Sequence, residues 1–221
     1  PFFGEEKEDI LHALWLGVDA ENLYLRVDIK GGLKDLYGKD LAVALYLTNP
    51  RRMEINSVPR WSREGPLATV IGLSPGTEIL VDFRKIAEPG AGRAQLAFAD
   101  GDEAWVEAGP VTTSGVDQTI EIKLPFTDIN LKPGDVVSLA AVASRGGKNV
   151  DMIPCDGPSA FRVPEVVVGT TLFKWDDPKG DDYGPGSYTY PLNPVFEPGV
   201  FDMLSFEVLD VQDDIVFQVE F

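Results

Sequence analysis

The sequence predicts an all-β protein built as an antiparallel β-sandwich of jelly-roll or immunoglobulin-like type. Three observations support this prediction. Apolar and polar residues alternate at a period of two, turn-forming Gly, Pro and Asp residues separate the short apolar segments, and no long segment has the apolar spacing of an amphipathic helix. Such alternation is typical of antiparallel strands that have one buried face and one solvent face.

The clearest alternating segment is LYLRVDI (23–29). Its leucines, valine and isoleucine fall on one face, which we expect to be buried, whereas Tyr24, Arg26 and Asp28 fall on the other face. The same inward-facing pattern is predicted for IEIKL (120–124) and IVFQVEF (215–221).

Two segments are apolar on both faces and are typical of central strands: LAVALYL (41–47) and VVSLAAVA (136–143). Turn residues follow or precede the strands at DAEN (19–22), SPGT (74–77), EPGA (88–91) and KPGD (132–135). Helical structure is limited to short turns near 84–88 or 126–129, so little helix is expected.

A domain boundary is predicted near Pro164, because the sequence beyond it changes to the Asp-, Gly- and Pro-rich stretch WDDPKGDDYGPGSYTYP (175–191). We therefore expect a first sandwich at 1–164 and the start of a second, partial sandwich module at 165–221. A segment of that length is short for an independent sandwich. It either continues beyond residue 221 or packs onto the first sandwich.

Composition excludes two classes of partner. The chain has 19 Lys and Arg against 36 Asp and Glu, a formal net charge of -17, so it repels nucleic-acid phosphates and anionic lipid surfaces. No apolar run reaches the length of a membrane-spanning helix, which argues against membrane insertion. The single cysteine, Cys155, leaves no internal disulfide to form.

Catalysis is not expected. The only histidine, His12, shares the parity of Leu14 and Leu16 and is predicted in or at the edge of the core, and no nucleophile, metalloprotease or phosphate-loop motif occurs. Haem ligation by His12 with Met53 or Met152 is a further hypothesis, without a recognisable ligand motif.

Aromatic and arginine side chains are the candidates for carbohydrate contacts, because sugar rings stack on Trp or Tyr and hydroxyls bond to polar groups. The predicted sugar contacts are Trp61, Arg51, Arg60, Trp105 and Tyr183. The alternative is structural: tryptophans in the core and arginines paired with nearby acids. Trp15, opposite in parity to Leu14 and Leu16, is either a second-face core residue or an exposed platform.

The acidic loop is a candidate calcium site, because calcium takes several carboxylate and carbonyl oxygens as ligands. The predicted ligands are Asp177, Asp181, Asp182 and Asp202. The spacing does not match an EF-hand: counted from Asp177, the third position is Lys179 and the twelfth is Tyr188. The alternative is an ordered loop whose aspartates cap turns.

Two stretches also resemble known families. DPKGDDYGPGSYTYP, followed by FEPGVFDMLSFEV, resembles the C-terminal module of glucodextranase-type enzymes, found also in amylopullulanases and other family-57 glycoside hydrolases. AENLYLRVDI and LPFTDINLKPGDVVSLAAVAS resemble DOMON-like and family-9-like carbohydrate-binding sandwiches. Related sandwiches sometimes carry calcium.

The resemblance implies a non-catalytic accessory module, a fragment of a larger extracellular or cell-surface glycoside hydrolase of amylase or pullulanase type. Its implied partners are an α-glucan polysaccharide and the catalytic domain of the same parent chain. The alternative is a structural or cell-surface-associating module that has no glycan site of its own.

Overall fold

The computed structural model describes residues 8–19, 21–56, 58–61, 72–85, 94–101, 104–116, 118–165, 169–181, 202–211 and 214–221. The predicted all-β antiparallel fold is confirmed. Helical structure in the described ranges consists of two single 3-10 turns, Leu33–Asp35 and Phe83–Lys85. No helix among these residues is long and apolar enough to cross a membrane. The chain divides into two compact units, Pro1–Glu165 and Val166–Phe221.

In the described residues of the N-terminal unit, ten strands form one curled sheet. They are β1 (Leu11–Val18), β2 (Asn22–Ile29), β3 (Leu41–Leu47), β4 (Thr77–Asp82), β5 (Ala94–Ala99), β6 (Trp105–Val116), β7 (Thr119–Pro125), β8 (Val136–Arg145), β9 (Lys148–Ile153) and β10 (Ser159–Arg162). Their order is β1-β2-β7-β6-β5-β4-β3-β8-β10, and β9 also pairs with β8.

The long strand β6 joins the two layers of the sandwich. Its first part pairs with β5 and its second part, from Thr112, pairs with β7. The register between β5 and β6 shifts because Leu96 pairs with Gly109 whereas Ala97 pairs with Glu107. The extra residue, Ala108, forms a bulge beside Gly109, whose φ is 126°, shortly before β6 crosses between the layers. We call β1, β2, β7 and the end of β6 sheet A, and the remaining strands sheet B.

The main core lies between the two sheets. The apolar positions of 23–29 and 120–124 point inward, as predicted, and pack with β3 and β8 of sheet B. All seven residues of β3 are buried, because its outer face is covered by a smaller cluster that includes Tyr46 and Met152. The prediction that 41–47 and 136–143 form central strands is therefore confirmed for β3, and β8 lies beside it with both of its faces largely buried.

The prediction for His12 is wrong, because this side chain is exposed. Leu11 pairs with Ile29 and Ala13 pairs with Asp28, so one extra residue bulges from β1 at His12. Strict alternation from Leu14 back to His12 does not hold across a bulge. Beyond it, Leu14 packs against the core while Trp15 points to solvent.

The C-terminal unit contains a separate antiparallel sheet in the order β11 (Thr170–Asp176), β12 (Ser205–Val211) and β13 (Asp214–Glu220). The register places Trp175, Phe206 and Val219 in one row, and Phe173, Val208 and Phe217 in another row of the same face.

The prediction that 215–221 buries its apolar positions is wrong. Ile215, Phe217, Val219 and Phe221 share one face, yet they are 52%, 67%, 43% and 66% exposed. Alternation identifies the apolar face of a strand, whereas burial requires another layer over that face. An uncovered apolar face is typical of a surface that another protein element contacts.

Candidate functional site

The outer face of sheet A carries a concave depression of about 450 Å³, which we call the sheet A groove. Its lining includes Trp15, Gly17, Tyr24, Arg26, Glu121 and Lys123. They come from three adjacent strands, β1, β2 and β7. The backs of the same strands form the core, so the groove has a rigid base.

Strand register explains why these residues meet. Arg26 of β2 is paired with Trp15 of β1 on one side and Glu121 of β7 on the other. In the next row on the same face, Tyr24 is flanked by Gly17 and Lys123. Residues directly opposite in antiparallel strands share a face, so the two rows form one continuous surface.

Both aromatic rings in the groove are held by carboxylates. Trp15 is 59% exposed, and its indole Nε1 donates a hydrogen bond to Asp28 Oδ2 at 3.0 Å. The Tyr24 hydroxyl donates to Asp19 Oδ2 at 2.8 Å. Each ring therefore keeps its orientation before any ligand arrives, which lowers the entropy cost of binding.

The two carboxylates stay ionised at neutral pH. Burial acts to raise the pKa of Asp19, but hydrogen bonds from Glu21 N–H, the Tyr24 hydroxyl and Asn22 outweigh it and lower the pKa to about 2. Burial opposes the shift at Asp28 too, where hydrogen bonds from Arg26 and Trp15 lower the pKa. The hydrogen bond to Asp28 raises the pKa of Arg26.

The groove combines stacking surface with polar groups. Arg26 uses Nε to bond Asp28 Oδ1 at 2.7 Å, and a guanidinium has four further N–H donors. The Lys123 ammonium lies 5.7 Å from the centre of the Tyr24 ring. Glu121 supplies acceptors on the same face. An apolar floor with a few convergent donors and acceptors is suited to a carbohydrate.

A second depression of about 360 Å³ lies on the same strands. Its lining includes His12, Asp28, Lys30 and Thr119, and it shares Arg26 with the sheet A groove. Because Tyr24, Arg26 and Asp28 alternate along β2, the concave surface continues along that strand. A chain-like ligand therefore has more than one place to contact this face.

The two tryptophans predicted from the sequence lie on the other layer. Trp61 and Trp105 both pack, partly buried, against the cluster on the outer face of sheet B. Trp61 Nε1 donates to Ser144 O at 3.1 Å, and Trp105 Nε1 donates to Val58 O at 2.7 Å. The Arg84 guanidinium lies 3.5 Å from the centre of the Trp61 ring. Their role in sugar binding stays a prediction.

The two predicted arginines are each paired with acidic side chains. Arg60 contacts the buried Glu78 through Nε and the exposed Glu107 through Nη1. Arg51 donates through Nε to Asp135, in the turn between β7 and β8. These pairs agree with the alternative that the arginines pair with nearby acids. Sugar contact by Arg51 or Arg60 stays a prediction.

Around the acidic loop, the structure describes Asp177, Asp181 and Asp202, whereas Asp182 and Tyr183 lie outside the described residues. Asp202 is 3% exposed, and its Oδ2 accepts a hydrogen bond from Gly180 N–H at 2.6 Å. Its Oδ1 is buried and has no hydrogen-bond partner among the residues that the structure describes. Among the residues described, no three His, Cys, Asp or Glu side chains are placed to share a metal ion.

The sequence alone does not bring the residues of the sheet A groove together. It predicts Trp15 as a second-face core residue or an exposed platform and Tyr24 on the polar face of a strand, with no link between the two. A usable signal exists in the sequence: Tyr24, Arg26 and Asp28 form the polar face of one strand, and Trp15 lies on the strand before it. Consecutive strands joined by a short turn usually pair, which brings these residues together.

Comparison with known proteins finds a family similarity in part of the chain. Residues 172–221 match the family described as the C-terminal binding module, SLH-like, of glucodextranase. The resemblance to glucodextranase read from the sequence is confirmed over these residues, which include most of β11 and all of β12 and β13. No curated protein matches the chain.

Proposed function

We propose that this protein is a non-catalytic accessory module of an extracellular or cell-surface glycoside hydrolase and that it binds polysaccharide through the sheet A groove. The observation that carries the proposal is the pair of oriented aromatic rings, Trp15 and Tyr24, in a concave surface with Arg26, Glu121 and Lys123. The family match at 172–221 supports an accessory role, because that family is a binding module of a glucan-active enzyme.

We propose an α-glucan as the polysaccharide and the catalytic domain of the same parent chain as the second partner. A parent of the family-57 amylopullulanase type, and a DOMON-like character of the N-terminal sandwich, follow from the sequence resemblance. A neutral polymer also fits the charge of the chain, because a net charge of -17 disfavours polyanions.

Affinity electrophoresis in native gels tests this function. We expect the protein to migrate more slowly in gels containing starch, pullulan or glycogen than in plain gels, relative to an acidic reference protein without a sugar site. Unchanged migration in all three polymers would contradict α-glucan binding.

The second candidate is a structural or cell-surface-associating module with no glycan site of its own. The exposed apolar face of the C-terminal unit favours it, because Phe173, Trp175 and Phe217 are each more than half exposed. This candidate predicts the unchanged migration just described, so the same gels separate the two.

We also propose that Asp202 and the acidic loop bind calcium. A buried carboxylate with an unpartnered oxygen is costly unless a cation or another group satisfies it, and calcium is a ligand suited to such oxygens. The hydrogen bond from Gly180 N–H to Asp202 Oδ2 supports a calcium site at this loop, because it connects the Asp202 carboxylate to the loop.

Thermal unfolding in calcium and in chelator tests the calcium proposal. We expect calcium to raise the melting temperature of the wild type, since a ligand at a hundred times its dissociation constant stabilises by about 2.7 kcal/mol. The Asp202→Asn variant should lose that response, whereas Asp214→Asn, at an exposed position of the same unit, should retain it. A wild-type melting temperature that is the same in calcium and in chelator would count against the site.

A further inference from the structure

Gly17 lies within β1, where the fold gives no backbone reason for a glycine. It is absent from the residues with positive φ, the conformation that favours glycine. A glycine inside a strand weakens the strand relative to residues that have side chains. Its presence therefore requires another explanation.

Packing gives no reason for the glycine either. A Cβ atom added at Gly17 would meet Tyr24 Cβ at 4.0 Å, which is ordinary van der Waals contact. Both the backbone and the neighbouring side chain thus accept a larger residue at this position. A glycine that is required neither by the backbone conformation nor by side-chain packing often marks a place where a ligand approaches the strand closely.

Gly17 lines the sheet A groove, where a ligand would approach β1. Gly17 is paired with Tyr24, and Trp15 is paired with Arg26, so Trp15 and Tyr24 are diagonal neighbours, which lie within reach of aromatic side chains. A side chain at Gly17 would extend over the same face, beside the Tyr24 ring. The missing side chain leaves that part of the groove open.

We propose that Gly17 is a specificity-determining residue of the sheet A groove, and that the space above it admits one unsubstituted pyranose ring of a neutral glucan. This inference rests on the proposed function and names the part of the site that selects the ligand. A flat sugar ring would contact Tyr24 and Trp15 with its apolar face while its hydroxyls bond to Arg26 and Glu121.

The charges of the groove favour a neutral ligand. Arg26 donates to Asp28 and is paired with Glu121 in the register, so carboxylates on two strands neighbour its positive charge. Lys123 is the other cation of the lining, and the chain as a whole is strongly acidic. An anionic sugar would therefore meet little uncompensated positive charge.

Titration calorimetry of the full chain with maltoheptaose tests the role of Gly17. We expect Gly17→Val, which adds three carbon atoms, to weaken binding by at least about tenfold, because even one extra methylene in a close-fitting site has an effect of that size. Gly17→Ala should give a smaller loss. The urea midpoint of either variant should equal or exceed that of the wild type, since side chains with higher strand propensity replace glycine.

Ala160→Val is the matched control. Ala160 is an exposed position of β10 in sheet B and does not line the groove, so the affinity of this variant for maltoheptaose should match the wild type. If the wild type binds and both Gly17 variants bind equally well, the role of Gly17 is overturned while the proposed function stands. If the wild type binds neither maltoheptaose nor the polymers in gels, both are overturned.

Discussion

Replacing Trp15 by alanine is expected to weaken binding of starch or glycogen by at least about tenfold, equivalent to about 1.4 kcal/mol. Trp15 is 59% exposed and its indole is oriented by Asp28, so it offers stacking surface at little entropy cost. The measurement is the dissociation constant from affinity electrophoresis at several polymer concentrations. Stability should change little, because an exposed side chain contributes little to the core.

Trp61→Ala is the informative comparison for Trp15→Ala, since Trp61 was predicted from the sequence as a sugar contact. Trp61 packs against the sheet B cluster and bonds to Ser144 O, so its removal should lower the urea midpoint. The folded variant should bind glucan as the wild type does. The opposite pattern, with binding lost in Trp61→Ala and kept in Trp15→Ala, would move the site to sheet B.

Replacing Arg60 by alanine is expected to cost about 3–5 kcal/mol of the free energy of unfolding, as breaking a buried ion pair does. Its partner Glu78 has a side chain with no exposed surface, and loss of Arg60 leaves this carboxylate buried without its counter-ion. Two-state domains are stable by only about 5–15 kcal/mol, so the effect is a large fraction of the total. Urea denaturation followed by tryptophan fluorescence measures it.

The loss in Arg60→Ala should depend on pH. Burial raises the pKa of Glu78 in the folded protein, and Arg60 opposes that shift. A carboxyl group whose folded pKa exceeds its unfolded pKa stabilises the fold at low pH, and that contribution is lost as pH rises through the folded pKa. The destabilisation should therefore be smaller at acidic pH than at neutral pH.

Arg51→Ala is the matched control for Arg60→Ala, because both arginines lie in the same loop. Arg51 and its partner Asp135 are 35% and 11% exposed, compared with 17% and 0% for Arg60 and Glu78, and Asp135 also accepts a hydrogen bond from Lys132 N–H. Partly exposed pairs contribute up to about 1 kcal/mol, so this variant should remain close to the wild type. Equal losses in the two variants would contradict the importance of the buried Glu78.

The sequence was sufficient to predict the strands and their two faces wherever alternation is regular. Leu23, Leu25 and Val27 are buried and Tyr24 is exposed, as their spacing predicts. It was also sufficient for the family resemblance at 172–221, which is confirmed. Both depend on patterns within a few residues or within one continuous segment.

The candidate site depended on pairings that local patterns do not specify. The prediction for His12 failed at a bulge, and the predictions for Ile215, Phe217 and Val219 failed because an apolar face was not covered. Three of the five predicted sugar contacts, Arg51, Arg60 and Trp61, come from one loop, whereas the groove is lined by residues from the four strands β1, β2, β6 and β7.

The sequence by itself determined an all-β chain, the two faces of its regular strands, its acidic charge and its C-terminal resemblance. Only the tertiary structure decided that Arg60 is paired with Glu78, that Trp61 packs against sheet B, and that Trp15 lies beside Tyr24. The physical reason is that side-chain alternation is a property of the local backbone, whereas burial and ligand geometry depend on contacts between residues distant in the chain.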